Sequence, residues 1–318
     1  MKLNKNVGLS PQENYLEAIR FGSPEYMPRG NEDIFHILNL GILRIEDWTD
    51  PWGVGWVLGM EGAVPFPKLN PIADITAWES FKLPDPDALF DNIDDKISAV
   101  KAAKNEGKLI VGEFIYFLFE RVWALTGLEN FLPAMIDEPE AVHGLLHRVA
   151  EYAKRVFDNF LELGVDAVSV SEDLGTQRAL MLSPGHFDTF LAPEYRFIFE
   201  NMIAAGKIIR FHCCGCVEEV IDRLTDIQIS VLNPVQARAN DLALIKRITF
   251  GKTALDGGID SHLLLTGTPS DVQKETARVI DLLKPGGGYI CAPDQGFPDY
   301  PPGNMDMLYK TAAELGKY

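Results

Sequence analysis

The sequence predicts an α/β fold, a single-domain (β/α)8 TIM-like barrel in distorted form, and three observations carry that prediction. Short β-branched runs recur after helical stretches, six or seven such units follow one another without a clear linker, and each run ends in polar or glycine-bearing residues. A chain of 318 residues falls within the size range of such a barrel. Residues 1–318 are therefore read as one domain.

MPRGNEDIF (27–35) is read as an early strand. Residues 49–90 are rich in Trp, Gly and Pro (DPWGVGWVLGM, PFPKLNP, LPDPD), a composition that suits an inserted hairpin or excursion better than a barrel repeat. KLIVGEFIY (108–116) is the next buried strand. EPEAVHGLLHRVAEYAKRVFDNFLELG (138–164) then keeps an apolar stripe at three- and four-residue spacing and stops at Gly164, as a helix does. Four strands follow: DAVSVSED (166–173), KIIRFHCCG (207–215), ISVLNPVQ (229–236) and TALDGGID (253–260). Thr268-Pro269-Ser270-Asp271 combines a capping residue, a proline at the first helical position and an acid three beyond the cap. It opens a periodic run that ends before Pro285 and Gly286. GGYICAPDQ (287–295) is the last strand.

Composition narrows the function. A formal charge of −17, spread without long blocks, argues against a nucleic-acid backbone or an anionic lipid surface as partner, since both are held by clustered Lys and Arg. No run of eighteen apolar residues occurs, and the segment MKLNKNVGLSPQENYLEAIR lacks the apolar centre of a signal peptide. The expectation is a cytoplasmic protein with no membrane association. Four cysteines are too few for a disulfide framework, which leaves metal binding, catalysis or plain burial.

Three of those cysteines stand in FHCCGC (211–216), at the end of a predicted strand. Catalytic groups of barrel enzymes come from such C-terminal strand ends, where this chain also carries Glu113, Glu172, Asp173, Asn233, Gln236, Asp256, Asp260, Cys291 and Asp294. Side chains alternate along a strand, so His212 and Cys214 share one face while Cys213 takes the other. Catalytic zinc uses three protein ligands with N and S donors, and soft thiolates favour it over magnesium or calcium. His212, Cys214 and Cys291 are the candidate set. A buried strand with small apolar cysteines and a core histidine explains the same letters. A redox pair of Cys214 with Cys216 is a further reading, although C-x-C is not the spacing of thioredoxin-like sites.

The stretch from about residue 160 onward resembles the uroporphyrinogen decarboxylase superfamily, and within it the zinc-dependent corrinoid methyltransferases of the methylcobamide:coenzyme M type. The resemblance rests on GVDAVSVSEDLG, RFHCCGCVEEVIDRL, VLNPVQARANDLALIKR, ALDGGIDSHLLLTGTPSDVQKE, the GGGYICAPDQ strand and the late PPGN at Pro301–Asn304. It implies a distorted TIM barrel and a His-x-Cys zinc motif completed at long range by a cysteine, here His212, Cys214 and Cys291. The implied reaction moves a methyl group between a small thiol, methyl ether or other methylated compound and a corrinoid carried by a partner protein. Asp173, Glu172 and Asp260 are then the candidates for catalysis, and Glu113, Gln236 and Asn304 for substrate contact. Phe114, Phe297 and Tyr300 are candidates for an aromatic wall. The chain departs from true uroporphyrinogen decarboxylases in lacking their arginine-rich N-terminal segment, for which it offers only Arg29. The alternative reading is a lyase that decarboxylates a smaller carboxylic acid. Corrinoid-dependent O-demethylases resemble the chain in overall pattern but carry a glutamate-rich zinc motif.

Overall fold

The computed structural model describes residues 8–40, 44–59, 64–297 and 299–318. Contacts within the chain gather into two compact units, one spanning Phe35–Ile229 and the other joining the residues up to Ile34 to Ser230–Tyr318.

The first unit begins with strand β1 (Phe35–Asn39), then a small antiparallel sheet of β2 (Trp48–Thr49), β3 (Gly55–Val57) and β4 (Phe66–Leu69). The predicted excursion is therefore a three-stranded meander followed by two short turns of 3₁₀ helix, although residues 60–63 of it lie outside the described residues. Parallel strands β5 (Leu109–Phe114), β6 (Ala167–Ser171) and β7 (Ile208–His212) come next, each following a helix, and β1, β5, β6 and β7 pair in that order. The helix predicted at 138–164 runs Pro139–Leu163 and stops where Gly164 turns left-handed, at φ 76°.

Helices cover one face of this sheet. Phe114 of β5 meets Phe157 and Tyr152 of the long helix, and Phe211 of β7 packs edge-on to Tyr195 of helix Ala192–Ala204. Between the strands and those helices, Phe117 stacks on Phe157, Tyr195 and Phe199 at 5.7, 6.0 and 5.6 Å, a dry aromatic centre. Alternation then assigns Glu113, Ser169, Ser171, Arg210 and His212 to the other face.

The second unit holds the parallel strands β8 (Val231–Val235), β9 (Ala254–Ile259) and β10 (Tyr289–Pro293), paired in chain order. Helices Leu242–Thr249, Ser261–Thr266 and Pro269–Leu283 connect them, and helix Pro302–Leu315 closes the chain. Thr268 forms the expected capping box with Asp271. The N-terminal segment joins this unit: the Gly30 N–H donates to the Cys291 carbonyl at 3.0 Å and the Met27 N–H to the Gly316 carbonyl at 2.8 Å.

The fold class is α/β, with the repeating strand–helix unit of TIM-like barrels in both halves. One strand is misplaced by the sequence reading. Residues 27–34 are irregular apart from an isolated bridge at Arg29, and β1 instead starts at Phe35. Pro28 and Gly30 break this stretch, and a strand interior tolerates neither well.

Candidate metal centre

The C-terminal ends of β6 and β7 lie side by side, with Ser171 in register with His212. Just past them the Glu172 N–H donates to the His212 carbonyl at 2.9 Å, and the Cys214 N–H donates to Asp173 Oδ1 at 2.8 Å. This lacing brings three side chains together. Cys214 Sγ stands 3.3 Å from His212 Nε2, and Asp173 Oδ1 stands 3.9 Å from the same nitrogen. All three donor atoms lie within 4.8 Å of one another, and all three residues are half-buried.

The donors suit a zinc-sized ion. Zinc bonds of about 2.3 Å to sulfur and about 2.0 Å to nitrogen at a tetrahedral angle put those two atoms about 3.5 Å apart. The observed 3.3 Å between sulfur and nitrogen is close to that requirement. A thiolate, an imidazole and a carboxylate are also the ligand types that zinc takes.

Beside the cluster the acids divide in behaviour. Glu172 is fully buried and engaged: the backbone N–H groups of Leu118, Phe119 and Glu120 and the hydroxyl of Tyr195 all donate to its carboxylate. It anchors the N-terminus of helix Phe119–Thr126, where free amides and the helix dipole favour a negative charge. Burial nevertheless pushes its carboxyl up to about 7 against those donors. Glu120 accepts from Ser171 Oγ at 3.1 Å. Its carboxyl is held well above the ordinary range by burial first, then by the charges of Asp173 and Glu172. Glu113 in β5 is half-buried, pushed up by desolvation and drawn back by Arg210. The Arg210 guanidinium donates to Ser169 Oγ at 3.4 Å.

The residues around FHCCGC sort by face as alternation predicts. Cys213 is wholly buried, receives the Leu174 N–H at 3.3 Å, and burial drives its thiol well above the ordinary cysteine range. All four cysteines are free thiols, so Cys214 and Cys216 form no disulfide. Phe114, read as a mouth residue, is 2% exposed and belongs to the aromatic centre instead.

In the second unit, Cys291 is fully buried in β10, opposite Gly257 of β9. Burial pushes its thiol up to about 12, with a hydrogen bond to Tyr289 acting the other way. Asp260 caps helix Ser261–Thr266 through the His262 N–H at 2.9 Å and pairs with Arg238 at 3.4 Å. Asn304 is buried and donates to the carbonyls of Leu264 and Gly267, tying helix Pro302–Leu315 to the preceding turn. Gln236 is buried at the end of β8.

Residues 49–315 match the family described as uroporphyrinogen decarboxylase. The chain belongs to that family. Among solved structures, a methyltransferase from Methanosarcina mazei is similar over 96% of this chain and 99% of its own, at 16% identity and a TM-score of 0.75. A B12-independent methionine synthase from Shewanella sp. W3-18-1 is similar over 69% of this chain and 66% of its own, at 12% identity and a TM-score of 0.49. The first likeness is one of fold. No curated protein sequence matches the chain. Among the described residues of this uroporphyrinogen decarboxylase family member, no helix is long and apolar enough to cross a membrane.

Arg210 and Glu120 escaped the sequence reading. Arg210 had a readable signal, since it stands two residues before His212 and so shares its face. Glu120 had none, because its partners Ser171 and Asp173 come from a strand end some fifty residues later in the chain.

Proposed function

We propose that this chain is a zinc-dependent methyltransferase that moves a methyl group between a small substrate and a corrinoid carried by a partner protein. The observation that carries the reading is the 3.3 Å approach of Cys214 Sγ to His212 Nε2 with Asp173 alongside, at paired strand ends of a uroporphyrinogen decarboxylase family member. Family membership and a fold shared with a methyltransferase over 96% of the chain support it.

His212 and Cys214 are the residues that hold the ion, and the sequence pattern adds Cys291 as the second thiolate. Zinc bound there supplies Lewis acidity, which favours the deprotonated form of a substrate thiol or polarises the heteroatom that gives up a methyl group. For His212 to ligate through Nε2, its proton must sit on Nδ1. Asp173 orients the loop by accepting the Cys214 N–H, and its Oδ1, 3.9 Å from the same Nε2, stands where a third donor to the ion would be. Glu172 keeps β6 docked on helix Phe119–Thr126, so that Asp173 projects from a fixed base.

The test mixes the zinc-loaded chain with methylated or reduced corrinoid and with candidate thiols or methoxy-arenes. A cobalt absorbance change that requires zinc is expected. A chain that binds no zinc and leaves the cobalt spectrum untouched, while releasing carbon dioxide from a small acid, would replace this reading with the lyase one.

A further inference from the structure

We infer that Lys246 is a site of covalent acylation, taking a small acyl group from an activated donor, an acyl phosphate or a thioester, and that its modification loosens the N-terminal segment clamped over it.

Lys246 stands in the last turn of helix Leu242–Thr249. Its amine donates to the Gly287 carbonyl at 2.6 Å and lies 6.0 Å from the ring centre of Phe21 and 5.5 Å from that of Phe250. The two rings meet edge to face at 5.9 Å, and Phe21 reaches its place through a left-handed backbone, φ 56°, that a bulky residue seldom adopts. The third wall is the Gly286–Gly288 turn. A Cβ on Gly286 would fall 2.4 Å from the Phe250 ring and one on Gly288 would fall 2.2 Å from the Phe21 ring, so the rings close on the amine only because those side chains are missing. The Gly288 N–H donates to the Ala18 carbonyl at 3.0 Å, which docks helix Pro11–Ile19 on the same turn.

The walls of this cage carry no titrating group, and among the described residues no carboxylate pairs with the amine. Arg20 and Arg247, next to Phe21 and Lys246 in sequence, are exposed. Lys284, whose carbonyl takes the Gly287 N–H, sends its own amine to the carbonyls of Leu315 and Lys317. Burial against apolar rings with one neutral acceptor disfavours the ammonium, and the Lys246 amine is pushed down to about 8 from an ordinary 10.5. At pH 8 about half of such amines are neutral and nucleophilic, against about 0.4% of ordinary lysines. The amine is also within reach of a small reagent, because Lys246 is only half-buried and the Phe250 wall is 55% exposed.

The step is an acyl transfer. The neutral nitrogen attacks the donor's carbonyl carbon, and the C–O bond to phosphate or the C–S bond to the thiol breaks with the leaving group keeping the electron pair. The nitrogen gives its proton to water. The product is a neutral amide whose N–H still has the Gly287 carbonyl to donate to, whereas the attraction of a cation for two ring faces is gone. Phe21, already in an unfavourable backbone conformation, thereby loses one of the ties that hold it.

The test incubates the native chain between pH 7 and pH 10 with acetyl phosphate or with S-acetyl-N-acetylcysteamine and reads the acetylation of each lysine by peptide mass spectrometry. Lys104 is the internal reference, since its amine also donates to a carbonyl, that of Gly164 at 2.6 Å, but the residue is exposed. At pH 8 Lys246 is expected to react roughly tenfold or more faster than Lys104 with at least one donor, and its rate should level off above about pH 8. The donor that reacts identifies the source of the acyl group. Phe250→Ala lets water reach the amine, so the levelling should move to higher pH even though access improves. Trypsin cleavage after Arg20 should quicken severalfold in the acetylated native chain and stay slow in Lys246→Arg treated in the same way, because that variant keeps a cation and has no reactive amine. Reaction of Lys246 no faster than that of Lys104 with both donors, a rate that keeps climbing to pH 10, or equal Arg20 cleavage in the treated native chain and treated Lys246→Arg overturns the inference.

Discussion

The hydroxyl of Tyr195, on helix Ala192–Ala204, donates to the carboxylate of Glu172, which also collects the backbone N–H groups of Leu118, Phe119 and Glu120. Four donors thus depend on one buried side chain. Glu172→Ala would strand them all, at about 1–3 kcal/mol for each one left without a partner, whereas Tyr195→Phe removes one bond at about 1 kcal/mol. Chemical denaturation should rank the two in that order, and equal small losses would show the carboxylate to be dispensable.

The same residue carries a pH dependence. Its carboxyl lies at about 7 in the folded chain against an ordinary 4.5, with burial as the main cause. A folded-state value raised in this way contributes stability that is complete below about 4.5 and lost as pH climbs through 7. The full shift corresponds to roughly 3 kcal/mol. In chelator-treated protein, Glu172→Gln has no such proton to lose, so native stability should fall relative to that variant between pH 5 and pH 8. Parallel profiles would refute the assignment.

A second buried charge holds the meander in place. Arg121 and Asp50 form an ion pair with both side chains 1% exposed, and the guanidinium lies against Trp52 at 5.0 Å and against Trp56 and Tyr116 at 5.9 Å. Asp50 also accepts the N–H groups of Trp52 and Val54 and the Trp56 indole N–H. Deleting one member of a buried pair costs about 3–5 kcal/mol because the other charge is left in the interior. Arg121→Met should therefore lose stability on that scale, with proteolytic cleavage appearing first within residues 48–69. Asp50→Asn with Arg121→Met together should recover part of the loss.

Local patterns told most of the strand and helix story, because a continuous β-branched run and a three-to-four apolar stripe are properties of neighbouring letters. Pro139–Leu163 and the Thr268 capping box were legible to within a residue for that reason. Pairing at a distance was not. Glu172 read as a candidate catalyst because it ends a strand, and nothing near it in sequence announces Phe119 or Tyr195 as partners. Cys213 was separable from His212 and Cys214 by parity alone, while the arrival of Asp173 beside them depends on the register of β6 with β7, which no local pattern specifies.

Metal content tests the ligands one by one. The native chain should hold about one zinc. His212→Ala and Cys214→Ala should each remove most of it, since each deletes one of the two donors standing 3.3 Å apart. Cys291→Ala tests the second thiolate named by the sequence pattern. Its thiol sits at about 12 in the absence of metal, so zinc uptake through it must release a proton and should strengthen with rising pH in the native chain more than in Cys291→Ala. Full zinc occupancy in Cys291→Ala with an unchanged pH slope would remove that cysteine from the ligand set.

The loops that carry Asp173 and Cys214 touch backbone to backbone, and two glycines permit it. A Cβ on Gly175 would fall 2.4 Å from the Cys216 carbonyl oxygen and 2.7 Å from its nitrogen, while one on Gly215, whose φ is 84°, would fall 2.4 Å from the Gly175 oxygen. Main chain cannot step aside as a side-chain tip can, and the Cys216 N–H is already committed to the Thr176 carbonyl at 2.8 Å. Gly175→Ala should therefore push the two strand ends apart, costing about 1–3 kcal/mol of stability and loosening zinc by tenfold or more as Asp173 leaves Cys214. Gly206 is the control, because a Cβ there meets nothing within 4 Å and only its φ of 65° opposes a side chain. Gly206→Ala should cost only the backbone strain, about 1 kcal/mol, and leave zinc affinity alone. If Gly175→Ala binds zinc as tightly as Gly206→Ala does, the contact between the loops is not what positions the donors.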